Sequence, residues 1–223
     1  MRKIIVGAQV SIDGVMQAPG GAWEDPTKGF RFGGWVMPYF CEEFGEEIDR
    51  VFHDKFDLLL GRKTYEIFAG YWPFYDEDAD HGGIAKLFNN IKKYAVSRSG
   101  HVDLSWAHSA LLRDIAEVKR LREGDGPNLV TQGSTELVQA LFANDLVDAI
   151  SIFTVPVVLG SGKKLFADGS APHAFRLTGS RVAPNGLMIA HYERAGEIQL
   201  GDTAVDSPSK LEIARRERMK REG

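Results

Sequence analysis

Asp57-Leu58-Leu59-Leu60-Gly61-Arg62-Lys63-Thr64-Tyr65-Glu66 reads as a buried strand that runs straight into a short helix. The unbroken leucines suit a strand covered on both faces, as in a parallel sheet. The glycine lets the backbone come close to a ligand, and the first amides of the helix point their N–H groups outward at an anion. The same arrangement recurs twice. Tyr94-Ala95-Val96-Ser97 leads into Arg98-Ser99, and Asn128-Leu129-Val130-Thr131 leads into Gln132-Gly133-Ser134-Thr135. In an open α/β sheet the carboxyl ends of parallel strands share one edge, where ligands bind. An extended anionic ligand there would gain paired, charge-assisted hydrogen bonds from Arg62 or Arg98.

Outward from these turns the chain alternates. Ile4–Val10 is a nearly continuous apolar strand, and residues 13–39 form a Gly-, Pro- and aromatic-rich stretch with no period. Phe40, Phe44, Ile48, Val51 and Phe52 have helical spacing. Residues 83–92 read as helix, and Ser109 is expected to cap a helix carrying Leu112, Ile115, Val118 and Leu121, with Gly124 as its stop. A further helix carries Leu137, Val138, Leu141 and Phe142. Val147–Val158 is β-rich, with a bend or edge expected at Pro156. Phe175–Val182 and Leu187–Tyr192 flank Pro184-Asn185-Gly186, and Asn-Gly suggests a type I′ hairpin. The expected fold is α/β: a mixed, mainly parallel central sheet with helices on both faces and a C-terminal antiparallel hairpin. It occupies residues 1–195 as one domain, followed by a polar, charged tail over 196–223 whose last part reads as a solvated helix.

Composition narrows the function. A formal charge of −4 provides no basic field for a nucleic-acid backbone. The single cysteine, Cys41, excludes an intramolecular disulfide and a cysteine-rich zinc site. No metal site is expected: the acidic run Asp76–His81 lacks the glycine and terminal glutamate of an EF-hand loop, and the other histidines show no ligand spacing. The apolar start is too short for a membrane span and lacks a cleavage site, so a cytoplasmic protein with no membrane partner is expected.

Four segments in order resemble the dihydrofolate reductase superfamily, and within it the branch containing the reductase domain of riboflavin biosynthesis. They are Ser11-Ile12-Asp13-Gly14, Leu60–Glu66, Val96-Ser97-Arg98-Ser99, and the long Val155-Pro156-Val157-Val158-Leu159-Gly160-Ser161-Gly162-Lys163-Lys164-Leu165-Phe166. The likeness spans roughly residues 2–194. It implies an oxidoreductase with NADPH as hydride donor, acting on a small conjugated or heterocyclic compound of pterin or pyrimidine type; the branch's own activity is reduction of a phosphoribosylamino-uracil. By the same resemblance Gly61, Arg62, Lys63 and Thr64 would hold the phosphates, helped by Ser97 and Arg98. Gln132, Gly133, Ser134 and Thr135 would cradle the pyrophosphate, and Leu159, Gly160 and Gly162 would line the nicotinamide end. The relatives are commonly dimers, which implies a homodimer.

Hydride transfer also needs a proton. Asp13, at the end of the first strand, is the best-placed carboxyl, with a turn-capping role as its alternative. Trp23, Trp35, Tyr71, Trp72 and Phe153 are the aromatics expected near a flat substrate, against packing as their ordinary use. The riboflavin enzyme's deaminase half needs a Pro-Cys-x-x-Cys signature beside its His-x-Glu to hold zinc, and a chain with one cysteine cannot supply it, so the bifunctional enzyme is not expected. The Gly- and Trp-rich stretch at 18–40 departs from the better-known branches and borders the expected substrate site. A non-catalytic nucleotide-binding module, or a flavin-using variant, is the competing reading.

Overall fold

The computed structural model describes residues 1–79, 82–201, 203 and 207–222. Its frame is an eight-stranded sheet in the order β4-β3-β2-β5-β1-β6-β8-β7. The first strand, β1 (Ile4–Ser11), lies deep in the sheet and pairs in parallel with β5 (Asn128–Gln132) and β6 (Ala149–Val155). Next to β5 is β2 (Phe56–Gly61), followed by β3 (Lys93–Val96) and β4 (Ser109–Leu112), all parallel. The hairpin of β7 (Phe175–Val182) and β8 (Met188–Arg194) joins through β8, antiparallel to β6.

The apolar strands are covered on both faces because helices sit on both. One face packs under α1 (Glu42–Val51), α2 (Arg62–Ala69) and α3 (Gly82–Asn90), where Leu58 and Leu60 meet Phe44, Ile48, Tyr65 and Phe88. Leu59, pointing the other way as strand periodicity requires, joins Val118 of α4 (Ile115–Glu123) and Leu137, Val138 and Leu141 of α5 (Thr135–Ala143). A thirteen-residue helix, α6 (Lys210–Glu222), has no buried residue. Among the described residues no helix is long and apolar enough to cross a membrane. Asp80 and His81 of the acidic run lie outside the described residues, as do parts of the tail.

Two local expectations are corrected. Ser109 does not cap a helix; it begins the edge strand β4, pairing with Lys93 of β3. The helix starts after Asp114, whose carboxylate accepts the Glu117 N–H at 2.8 Å while the Glu117 carboxylate accepts the Arg113 N–H at 2.7 Å. This is a variant of the capping box in which the glutamate reaches the amide just before the cap residue, and its sign is an acceptor residue followed three positions later by glutamate. The hairpin turn is not type I′. Pro184, restricted to negative φ, takes the first central position, so the left-handed residue falls at Gly186 (φ 86°) after a turn closed by Gly186 N–H to Ala183 O at 2.9 Å. The stretch 13–39, irregular apart from two three-residue helical turns, packs Val15, Ala18, Phe30, Trp35 and Val36 into the α1–α3 core. Pro156 lies just past the end of β6.

Candidate functional site

The carboxyl ends of β2 and β5 are locked together by two hydrogen bonds. The Gly61 N–H donates to Ser134 Oγ at 2.9 Å, and the Ser134 N–H donates to Thr64 Oγ1 at 3.0 Å. Gly133 and Ser134 are both left-handed, with φ of 59° and 53°. A Cβ on Gly133 would meet Thr64 Cγ2 at 3.3 Å, so glycine answers both the backbone and the close approach. For Ser134 the conformation costs about 1 kcal/mol, and the two cross-links offset it.

This geometry leaves donors free. Ser134 is the residue before α5, yet its hydroxyl serves Gly61 and makes no cap; Gly61 before α2 has no side chain to cap with. The first amides of both helices therefore lack a capping acceptor, which makes each a place for negative charge. The start of α4 differs because the Asp114 carboxylate already occupies it.

Both open helix starts face a cleft of about 870 Å³ lined by Gly61, Arg62, Lys63, Thr64, Ser97, Arg98, Gly133, Ser134 and Thr135. Nine of the expected cofactor residues thus meet in one hollow. Arg98 stands exposed at the β3 end, while Arg62 is held by both carboxylate oxygens of Glu66, each at 2.9 Å. The opposite end is walled by Met16, Gln17, Ala18, Pro19, Glu24, Asp25 and Lys163.

The remaining expected residues lie elsewhere. Gln132 packs against Gly7, whose missing Cβ would sit 3.4 Å from its Cγ. Leu159 is half-buried against the core, and Gly162 is pressed on the stretch 13–39: a Cβ there would come within 2.5 Å of Val15 and 2.9 Å of Phe30. Gly160, at φ 74°, has open space around it. Trp23 is 89% exposed and Tyr71 is on the surface. Trp72 stacks its edge on Phe68 and Phe88. Phe153 is sealed behind Phe44, with ring centroids 5.0 Å apart, and offers no face to a ligand. Trp35 is buried and donates its indole N–H to Gln17 O at 2.8 Å.

Asp13 also takes a different part from the one expected. It accepts the Ser11 hydroxyl at 2.6 Å, the Leu159 N–H at 3.0 Å and the Gly160 N–H at 2.8 Å. The Ser11 hydroxyl and then the Leu159 amide hold its pKa down at about 2. A carboxylate so held has no proton to give at neutral pH, and it does not line the cleft; it clamps the glycine-rich segment to the end of β1.

The residues that make the other cleft wall were not among those expected. Gln17, 3% exposed, accepts the Lys163 N–H at 3.0 Å and donates to Asp25 O and Thr27 O at 2.9 and 3.0 Å. The Met16 N–H donates to Lys163 O and the Leu165 N–H to Gly14 O, both at 2.9 Å. Lys163 also pairs with Asp25. Burial pushes Asp25 up, but the Lys163 ammonium and the Thr27 hydroxyl outweigh it and hold the carboxyl below its ordinary value. The sequence signs of this wall were the motif at 155–166 and the stretch 18–40 expected to border the substrate site, neither of which says which side chains meet.

One other constellation is structural. Ser151, His191 and Glu47 form a hydrogen-bonded chain with links of 2.9 Å each, but Ser151 is 6% exposed and lines no cleft, so the chain ties α1 to β6 and β8. Among the described residues no three His, Cys, Asp or Glu side chains gather as a metal would need.

Comparison with known proteins agrees with this architecture. The profile of the RibD C-terminal domain matches residues 2–189. “Uncharacterized protein YyaP” of Bacillus subtilis is 26% identical over 199 residues, covering 87% of this chain and 96% of that one. “Uncharacterized protein YwjB” of the same organism is 26% identical over 201 residues, covering 87% and 99%. Among solved structures, a “Putative riboflavin biosynthesis protein” from Shewanella sp. PV-4 superimposes with a TM-score of 0.59 at 17% identity, covering 87% of this chain and 99% of that one. A “pyrimidine reductase-like protein” from Corynebacterium diphtheriae gives 0.55 at 13%, covering 88% and 93%. The two structural likenesses speak to the fold, whereas the profile spans most of the sequence: the chain belongs to the RibD C-terminal domain family.

Proposed function

We propose that this protein is an NADPH-dependent reductase of a small conjugated or heterocyclic compound. The observation that carries the reading is the pair of uncapped helix starts, α2 and α5, opening into one cleft with Arg62, Lys63 and Arg98. Two helix N-termini side by side suit a pyrophosphate, which carries negative charge on two neighbouring groups. Arg98, one strand beyond, suits a further phosphate on the adenosine side, with the hydroxyl of Ser97 next to it. The family assignment points to the same cofactor.

When bound, the dinucleotide supplies the hydride. The chain's own contribution is positional. Thr64 and Ser134 fix the spacing of the two helix starts, Gln17 holds Lys163 in the other wall, and Asp13 clamps the glycine-rich segment that leads to it. Such fixing matters because hydride transfer depends on close, aligned approach.

Titration with NADPH and NADH, followed by nicotinamide fluorescence and by thermal midpoint, tests the reading. Tight NADPH binding with a clear preference over NADH supports it. Absence of binding, or equal affinity for the two, removes it. Binding with no turnover of any pterin- or pyrimidine-type compound would leave a nucleotide-binding module on the same fold.

A further inference from the structure

The Asp13 carboxylate cannot provide the proton that must accompany hydride transfer, so the source has to be sought on the cleft wall itself. Among the described residues four carboxyl side chains line the cleft: Glu24, Asp25, Asp114 and Glu136. Asp114 is consumed as the cap of α4, and Asp25 is paired with Lys163. Glu136 lies exposed in the first turn of α5, on the phosphate side of the cleft and open to water.

Glu24 is different in place and in surroundings. The strand order β3-β2-β5-β1-β6 lays out the cleft, with Arg98 at the β3 end and the uncapped helix starts at β2 and β5. Glu24 belongs to the far wall, on the stretch that follows β1 and is stitched to the segment after β6 through Gln17 and Lys163. From β5 to β6 is two strand spacings, about 10 Å, room for a sugar and a ring beyond the pyrophosphate. An adenine dinucleotide anchored by Arg98 would extend along these strand ends toward the wall that carries Glu24.

The wall is built to hold that carboxyl. Glu24 Oε2 accepts the Gly20 N–H at 2.6 Å, and the Glu24 N–H donates to Gly21 O at 3.2 Å. Gly33 lies so close beneath the turn that a Cβ on it would meet Gly21 O at 2.5 Å. Ala18 takes the left-handed conformation at φ 48°, and its carbonyl accepts the Gly34 N–H at 2.9 Å. The turn 20–24 is thus held from below and has little freedom to swing out.

Resting on the cofactor reading above, we propose that Glu24 is the proton donor of the reaction. The Glu24 O–H bond breaks as a new bond to hydrogen forms on the heteroatom, or the conjugated position, of the reduced double bond. The carbon partner receives hydrogen with its electron pair from the cofactor. The resulting carboxylate regains a proton from water that enters the open cleft. Burial raises the Glu24 pKa above its ordinary 4.5 against the lowering effect of the Gly20 and Gly21 amides, and the neighbouring Asp25 charge adds to the rise. Lys163, the nearby cation, is engaged by Asp25.

The test is a carbon-13 titration of the glutamate side-chain carboxyls, with the Glu24 resonance assigned as the one missing from Glu24→Gln. That variant keeps an oxygen for the Gly20 N–H, so its thermal midpoint and NADPH affinity should match wild type, the latter within about two-fold. The expected Glu24 midpoint lies above the ordinary glutamate range. It should fall by about half a unit or more with NADP⁺, whose oxidised ring is cationic, and stay put with adenosine 2′,5′-bisphosphate, which lacks the ring. Two results overturn the assignment while leaving the cofactor reading intact: a midpoint at or below about 4.5 in the free protein, or NADP⁺ binding that does not move it. If neither NADP⁺ nor NADPH binds, both readings fall together.

Discussion

The Ser134 backbone N–H donates to Thr64 Oγ1 at 3.0 Å across 70 residues of sequence, and the Ser134 hydroxyl returns the contact by accepting from Gly61. This reciprocal link sets the distance between the starts of α2 and α5. Because the serine hydroxyl is spent on it, the helix behind it stays open to an anion.

Ser134→Ala removes the acceptor for the half-buried Gly61 amide. Loss of about 1–2 kcal/mol of stability is expected from one lost hydrogen bond with its partner left unpaired. Affinity for adenosine 2′,5′-bisphosphate should fall as well. Denaturant unfolding and a binding titration check the two effects, and unchanged affinity would separate the link from the binding site.

Arg98→Ala should lower NADPH affinity about ten-fold or more while leaving NADH binding nearly unchanged, because a charge-assisted contact to the additional phosphate is lost. On the proposed reading Arg62→Ala should weaken both, since the phosphates it would meet are common to the two dinucleotides. A variant of Arg98 that weakens NADH equally would mean that Arg98 does not read the additional phosphate.

The two glycines of the 159–165 segment should respond unequally to alanine. Gly162→Ala forces a Cβ to within 2.5 Å of Val15 Cγ1, besides the strain of φ 132°, so a loss of about 2 kcal/mol or more is expected. Gly160→Ala meets open space and only the backbone cost at φ 74°, about 1 kcal/mol. Equal thermal shifts for the two would contradict the contact of Gly162 with the stretch 13–39.

Asp13 links stability to acid. Its folded pKa of about 2 lies below the ordinary 3.8, so the folded state holds the charged form more tightly. That contribution is complete above about pH 4 and is lost as pH falls through about 2. Asp13→Asn should therefore lower the thermal midpoint at neutral pH, and the gap to wild type should close across that acid window. A gap that persists unchanged down to about pH 2 would show that the carboxylate charge is not what holds Leu159 and Gly160.

The sequence by itself determined the alternation of strands and helices, the glycine turns after β2 and β5, the arginines beside them, and through its ordered motifs the family. These are local properties: period, turn chemistry and the residues that follow a strand are all written along the chain. It misplaced the start of α4, where Ser109 outweighed the Asp114-x-x-Glu117 signal, and the hairpin turn, where Pro184 shifted the frame by one residue. Tertiary structure alone decided that Asp13 is a clamp, that Phe153 is sealed, and that Gln17, Glu24, Asp25 and Lys163 form the far wall of the cleft. The physical reason is sequence distance. Gln17 meets Lys163 across 146 residues, and no period or local propensity reports which backbone amide a distant buried side chain will satisfy.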